Sequence, residues 1–103
     1  MGAWVYILRC ADGSYYVGNT RRGVEVRLRE HNEGTFPGYT SARRPVVLVY
    51  SEYSETLIGA FQRERQLKGW GRRKKEALIA GRVDLLPDLA SRPAKKPPEK
   101  PTL

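Results

Sequence analysis

The sequence predicts a small α+β domain, a three-stranded antiparallel sheet flanked by helices in the order β-β-α-β-α-α. Three observations carry that prediction. Two aromatic, branched segments near the start are separated by an Asp-Gly turn signal. An apolar run follows a proline in the middle of the chain. Two stretches with helical periodicity then end at glycines.

Trp4 to Arg9 (WVYILR) reads as the first strand and Tyr15 to Asn19 (YYVGN) as its returning partner, joined through Ala11-Asp12-Gly13-Ser14. Two registers are open. A two-residue Asp-Gly turn pairs Cys10 with Tyr15 and puts Tyr6 and Tyr16 on opposite faces. A type I turn with Gly13 left-handed pairs Cys10 with Ser14, and Tyr6, Leu8, Tyr16 and Gly18 then share one face. Val24 to Asn32 reads as a short helix ended by Gly34, and residues 33 to 45 as a loop containing Pro37, Gly38 and Pro45. Val46 to Tyr50, extending toward Tyr53, reads as a buried central strand. Ser54 is the expected N-cap of a helix from Glu55 to Lys68. A last helix runs from Arg72 to Ala80 and stops at Gly81. Residues 1 to 83 are read as the domain. Residues 84 to 103 are read as a disordered Pro/Lys-rich tail, since five of the seven prolines fall there.

The bulk composition narrows the function classes. At 103 residues and 40% apolar content the chain suits one compact domain. The single cysteine, Cys10, excludes an internal disulfide and fits a reducing compartment. No apolar run approaches the roughly 20 residues of a membrane helix, and the first residues lack the pattern of a secretory signal. Cytoplasmic location is the expectation, with no membrane partner. Nineteen Lys and Arg against eleven Asp and Glu give a net charge of +8, which favours a polyanionic partner.

Four groups of residues are candidates for chemistry. Arg27 and His31 lie four apart on the first helix, beside its Val24/Leu28 stripe, so they face the domain rather than solvent. The alternative is a structural pair, with His31 on the helix C-terminal dipole. Glu64 falls within the stripe formed by Leu57, Ala60 and Phe61. A carboxylate there needs an arginine partner, exposure at a cleft rim, or a bound cation. Tyr6 and Tyr16 are either sheet aromatics or site phenols, and Gly18 within a strand marks a bulge or a close approach. Tyr39, Thr40, Ser41, Arg43 and Arg44 interleave hydroxyls with cations, a composition suited to phosphate, and equally to an exposed polar loop.

Taken together these residues resemble the GIY-YIG nuclease family. Trp4-Val5-Tyr6 and Tyr16-Val17-Gly18 stand where that family carries its two name motifs, with Trp4 in place of the first glycine. Arg27 and His31 resemble its helix-borne arginine and i+4 partner, and Glu64 resembles its metal-binding glutamate. REHN (29–32), RRPVVLVY (43–50) and FQRERQLKGW (61–70) look like the small bacterial stand-alone members, akin to the UvrC incision domain. Asn19 stands where the UvrC-type domain has lysine, and Gly38 where stand-alone relatives often carry a basic residue.

The resemblance implies a structure-selective DNA endonuclease, with branched, flap or damaged DNA as partner and a role in repair or recombination. It implies Tyr6, Tyr16, Arg27, His31 and Glu64 as catalytic residues. Glu64 holds a single Mg²⁺ or Mn²⁺. Gly18, Asn19, Tyr39, Thr40, Arg43 and Arg44 are the expected substrate-binding set. A monomer without a small-molecule cofactor is expected. A phenol base starts near pKa 10, so this reading needs a guanidinium or a metal ion close to it. A non-catalytic DNA- or RNA-binding module on the same fold remains the alternative.

Overall fold

A computed structural model describes residues 1–35 and 37–82. The expected tail, 84–103, lies outside the described residues. Two compact units emerge, one spanning Met1–Gly69 and a second beginning at Trp70.

The first unit holds three strands, β1 (Ala3–Arg9), β2 (Tyr15–Thr20) and β3 (Val47–Ser54), with helices α1 (Val24–Glu33) and α2 (Leu57–Lys68). The sheet order is β2-β1-β3 and both pairings are antiparallel. The hairpin takes the second of the two open registers. Gly13 is left-handed at φ 87°, and its N–H donates to the Cys10 carbonyl at 2.9 Å. The Cys10 N–H donates to Ser14 at 2.8 Å, so Tyr6 faces Gly18 and Leu8 faces Tyr16. Strand alternation then assigns Tyr6, Leu8, Tyr16 and Gly18 to one face and Val5, Ile7, Val17 and Asn19 to the other.

The first face packs with α1. Tyr6, Leu8 and Cys10 form one apolar cluster with Val24 and Val46, joined by Trp4, Tyr16, Leu28 and Leu48. Alpha-2 reaches residues of the other parity: Arg63 donates to Glu52 at 2.9 Å, and Glu64 accepts from the Asn19 amide. The sheet is thus layered between α1 and α2. Helix α1 ends as its glycine predicts. Gly34 is left-handed at φ 78° and the Thr35 N–H donates to the Glu30 carbonyl at 3.0 Å.

Three expectations are corrected. The apolar run at 46–50 is an edge strand, not a central one, because β1 occupies the centre. Its unbroken apolarity has a different cause. A bulge between the Ile7↔Tyr50 and Leu8↔Leu48 pairings switches the parity of β3. Ser51 and Tyr53 face as Tyr6 and Trp4 do, while beyond the bulge it is Leu48 that joins that cluster. The cap of α2 is Thr56, not Ser54. Ser54 is still paired to Ala3 in the sheet, and the Thr56 hydroxyl accepts the Gly59 N–H at 3.0 Å. Phe61, placed in the α2 apolar stripe, is 61% exposed, and the buried face is turned toward Ala60 and Leu67.

The second unit contains α3 (Arg72–Ile79), matching the last expected helix within one residue. Ala77 and Leu78 are buried, and the Lys74 ammonium lies 4.0 Å from the centre of the Trp70 ring. Among the described residues no helix is long and apolar enough to cross a membrane.

Asn32 joins α1 to the entry of β3. Its amide donates to the Val46 carbonyl at 2.9 Å and its amide oxygen accepts the Val46 N–H at 2.7 Å. Asn32→Ala leaves both main-chain groups of a buried residue without these partners. We expect a loss of about 1–3 kcal/mol in chemical denaturation. A denaturation midpoint equal to wild type would show that this clamp contributes nothing.

Candidate active site along strand β2

The site starts from a missing side chain. A Cβ at Gly18 would lie 2.7 Å from the Tyr6 hydroxyl and 2.8 Å from its ring. Tyr6 therefore crosses from β1 over β2 through space that only glycine leaves open. This brings the Tyr6 hydroxyl to 3.0 Å from His31 Nε2. The His31 ring also meets Tyr16 edge to face, with centroids 5.3 Å apart. Its other nitrogen, Nδ1, lies 2.9 Å from the Thr40 hydroxyl. Tyr39 stacks on Tyr16 at 6.1 Å, and the Arg43 guanidinium lies 3.9 Å from the Tyr39 ring centre. Arg43 also donates to Asp12 and to the Tyr39 carbonyl, tying the 38–44 loop to the hairpin turn.

Burial pushes the Tyr6 phenol well above its ordinary range, aided by Tyr16, and Arg27 only partly offsets this. Tyr6 is therefore a proton-bearing group at neutral pH. Burial, followed by the Arg27 charge, pushes His31 below the ordinary imidazole range, so the ring is neutral near pH 7. Arg27 lies 3.9 Å from Glu30, which also accepts two hydrogen bonds from Arg22 at 2.6 Å. Glu30 links the two cations and steadies the Arg27 guanidinium beside the imidazole.

Glu64 approaches from the other face. Its carboxylate accepts from the Asn19 amide and pairs with Lys68 at 2.7 Å, leaving its side chain 15% exposed. The partner this carboxylate finds is a lysine rather than an arginine, together with an amide. Beta-2 is an edge strand, so side chains from the two faces can approach one another around its free edge. Burial is the main cause of the raised Tyr6 phenol, with Glu64 a smaller contributor, and Lys68 is raised mainly by its hydrogen bond to Glu64. A hard divalent cation suits this donor set. Among the described residues no three His, Cys, Asp or Glu cluster, so Glu64 alone would supply the protein charge. Water and phosphate oxygens would fill the remaining positions. Lys68, 53% exposed, is free to swing off the carboxylate.

Tyr6, Tyr16, Gly18, His31, Tyr39 and Thr40 thus meet directly, with Arg27 beside them and Asn19 and Glu64 across the β2 edge. Thr40, expected on the substrate, is 3% exposed and turned to His31 instead. Arg44 donates to the carbonyls of Ser41 and Asn32, where it closes the end of α1 rather than joining the phenols. Sequence reasoning missed Lys68 and Glu30. Lys68 was findable as the i+4 neighbour of Glu64. Glu30 was findable in the same way, as the i+3 neighbour of Arg27.

Known proteins resemble this chain in sequence and fold. The family model described as the GIY-YIG catalytic domain matches residues 2–77. A UPF0213 protein of Staphylococcus aureus is 46% identical over 79 residues, covering 77% of this chain and 95% of that protein. The solution NMR structure of the UPF0213 protein from Bacillus halodurans is 39% identical with a TM-score of 0.51, over 78% of this chain and 84% of that one. The solution NMR structure of a protein from E. faecalis is 36% identical with a TM-score of 0.54, over 79% and 85%.

Two predictions follow from this geometry. Gly18→Ala should drive the Tyr6 ring off His31 and cost about 1–3 kcal/mol in denaturation; unchanged stability would mean the ring moves away freely. Because folding depresses the His31 pKa, the unfolded chain binds the extra proton first. Stability is therefore full above the unfolded value of about 6.5 and falls as pH drops below it. Wild type should lose denaturation midpoint between about pH 7.5 and 5.5 relative to His31→Gln. Parallel curves for the two proteins would contradict a neutral, buried imidazole.

Proposed function

This chain belongs to the GIY-YIG catalytic-domain family, a nuclease family, and from that premise we propose that it is a divalent-metal-dependent endonuclease that hydrolyses DNA phosphodiester bonds. The observation that carries the reading is the meeting of Tyr6, Tyr16 and His31 over Gly18, with Glu64 held by Asn19 of the same strand β2. A DNA-binding module has no need to bury an imidazole between two phenols and to keep a carboxylate amid basic surroundings.

The proposed reaction is in-line attack of water on the scissile phosphorus, with the phosphorus–oxygen bond to the leaving strand breaking. Tyr6, held in its protonated form, donates to a phosphate oxygen and fixes the orientation of the scissile group. Tyr16 takes the proton of the attacking water, directly or through His31. Arg27 stabilises the charge that develops on the phosphate oxygens. Glu64 would hold Mg²⁺ or Mn²⁺, which supplies Lewis-acid neutralisation of the leaving oxygen when bound. Tyr39, stacked on Tyr16, and Arg43, stacked on Tyr39, would contact the DNA backbone beside the scissile bond.

The small size leaves little surface for reading base sequence. We therefore propose selection by DNA structure, with branched, flap or damaged duplexes as substrates and repair or recombination as the setting. A net charge of +8 supports sequence-independent attraction to the backbone.

Digestion of a panel of linear, flap, branched and damaged DNA with Mg²⁺ or Mn²⁺ tests the proposal. Wild type should cut at least one structured substrate. Glu64→Gln should lose more than the roughly 10–100-fold that disturbing a ligand's neighbours costs, while binding to the same DNA is largely retained. Undiminished cleavage by Glu64→Gln would remove Glu64 from the metal site, and no cleavage of any substrate by wild type would leave a binding module.

A further inference from the structure

Helix α2 carries two large apolar side chains that the fold leaves in water: Ile58 is 69% and Phe61 61% exposed. Among the described residues no aromatic ring or cation lies against the Phe61 ring. Two contacts fix where this surface points. Arg63 donates to Glu52 of β3, and Glu64 accepts from Asn19 of β2. The two flanks of α2 therefore face opposite edges of the sheet. At about 100° per residue, Lys68 and Phe61 follow Glu64 by roughly 40–60° and Arg65 by roughly 100°, all on the side away from Arg63. Phe61 thus overhangs the free edge of β2, one helical turn from the carboxylate of the candidate site. Arg65 is exposed and, among the described residues, has no ion-pair partner. Lys68 is paired with Glu64, a bond that a cation arriving at the carboxylate would break.

An exposed ring flanked by two cations suits single-stranded nucleic acid: the ring takes the face of a base and the cations take phosphates. The flanking cations and the net charge of +8 favour this polyanion over an apolar protein partner. A base inside a continuous duplex has both faces covered by its neighbours, so only an unpaired or extruded base offers one. We propose that Phe61 is a stacking platform for an unpaired nucleobase beside the cleaved phosphate, with Arg65 and Lys68 on the phosphates that flank it. Ile58, one turn before Phe61, widens the apolar surface under the base. The platform stands on the geometry and charge of α2. Its place beside the scissile bond rests on the nuclease reading above. The substrate class then narrows to DNA with at least one unpaired nucleotide next to the cut, such as a flap or a gap. Uninterrupted duplex is a poor substrate.

Because Phe61 is exposed, its variants should keep the wild-type fold and the test can be made on binding alone. The full chain is titrated in EDTA against a fluorescent oligo-dT, an abasic oligomer of the same length and charge, and a duplex. Phe61→Ala should weaken binding to oligo-dT about 10–100-fold and change binding to the abasic oligomer and the duplex little. Phe61→Trp should keep the wild-type affinity for oligo-dT, and Phe61→Leu, apolar but without a π face, should lose most of it. Equal affinity of Phe61→Ala and wild type for oligo-dT overturns the proposal. So does an equal loss on all three ligands, or a Leu variant that binds as wild type does. Sedimentation of wild type as a dimer and of Phe61→Ala as a monomer would make this surface a contact between copies and also overturn it. On a flap that wild type cuts, Phe61→Ala should lower the preference for flap over duplex about tenfold. An unchanged preference would overturn the placement of the base beside the cut. If wild type cuts nothing, the nuclease reading fails, while the platform still stands or falls on the oligo-dT and abasic titrations.

Discussion

The site depends on a cross-strand fit in which one residue has no side chain. Tyr6 and Gly18 face each other in β1 and β2, and the tyrosine ring fills the space that a Cβ at Gly18 would need. From that position the phenol reaches the imidazole of α1 on one side and the field of the α2 carboxylate on the other. The fit in turn requires one hairpin register. The Gly13 turn supplies it, because a shift of one residue would send Tyr6 and Tyr16 to opposite faces. A backbone dihedral at the Gly13 turn thereby decides whether the phenols of Tyr6 and Tyr16 share a site.

The polar groups gathered there are costly to bury, and each is compensated in a way that also restrains it. His31 is 3% exposed and remains neutral because burial and Arg27 both oppose its charge. Its two nitrogens are tied to different segments, one to the hairpin through Tyr6 and one to the 38–44 loop through Thr40. Arg43 and Tyr39 add a second tie between the same loop and the hairpin. These contacts hold α1, the loop and β2 in mutual register, which is the rigidity that orienting a phosphate calls for. Glu64 is restrained more loosely. An amide and an exposed lysine hold it, both of which an incoming cation could replace.

Much of this was legible in the sequence, and the failures have physical causes. The α+β order and the helix ends at Gly34 and Gly81 were readable because turn and cap chemistry is local. The pairing of Tyr6 with Tyr16 on one face was not decidable, since two turn types of similar cost accept Ala-Asp-Gly-Ser. An apolar run of five residues looked doubly buried because a bulge lets both parities of β3 find apolar neighbours. Phe61 misled the reading of α2, where periodicity locates a stripe but not its rotation against the sheet. Thr40 appeared to be one more loop hydroxyl; only tertiary packing reveals it as the partner of an imidazole nine residues earlier.

The central claim is that groups from both faces of the sheet gather at one cation-binding edge of β2. Titration with Mn²⁺ while recording NMR spectra measures this directly, since a paramagnetic ion broadens only nearby resonances. The account predicts early, saturable broadening shared by Glu64, Asn19, Tyr16, Tyr6 and His31. Broadening centred on another acidic residue such as Asp12 or Glu55, or confined to Glu64 with the phenols and imidazole untouched, would contradict it.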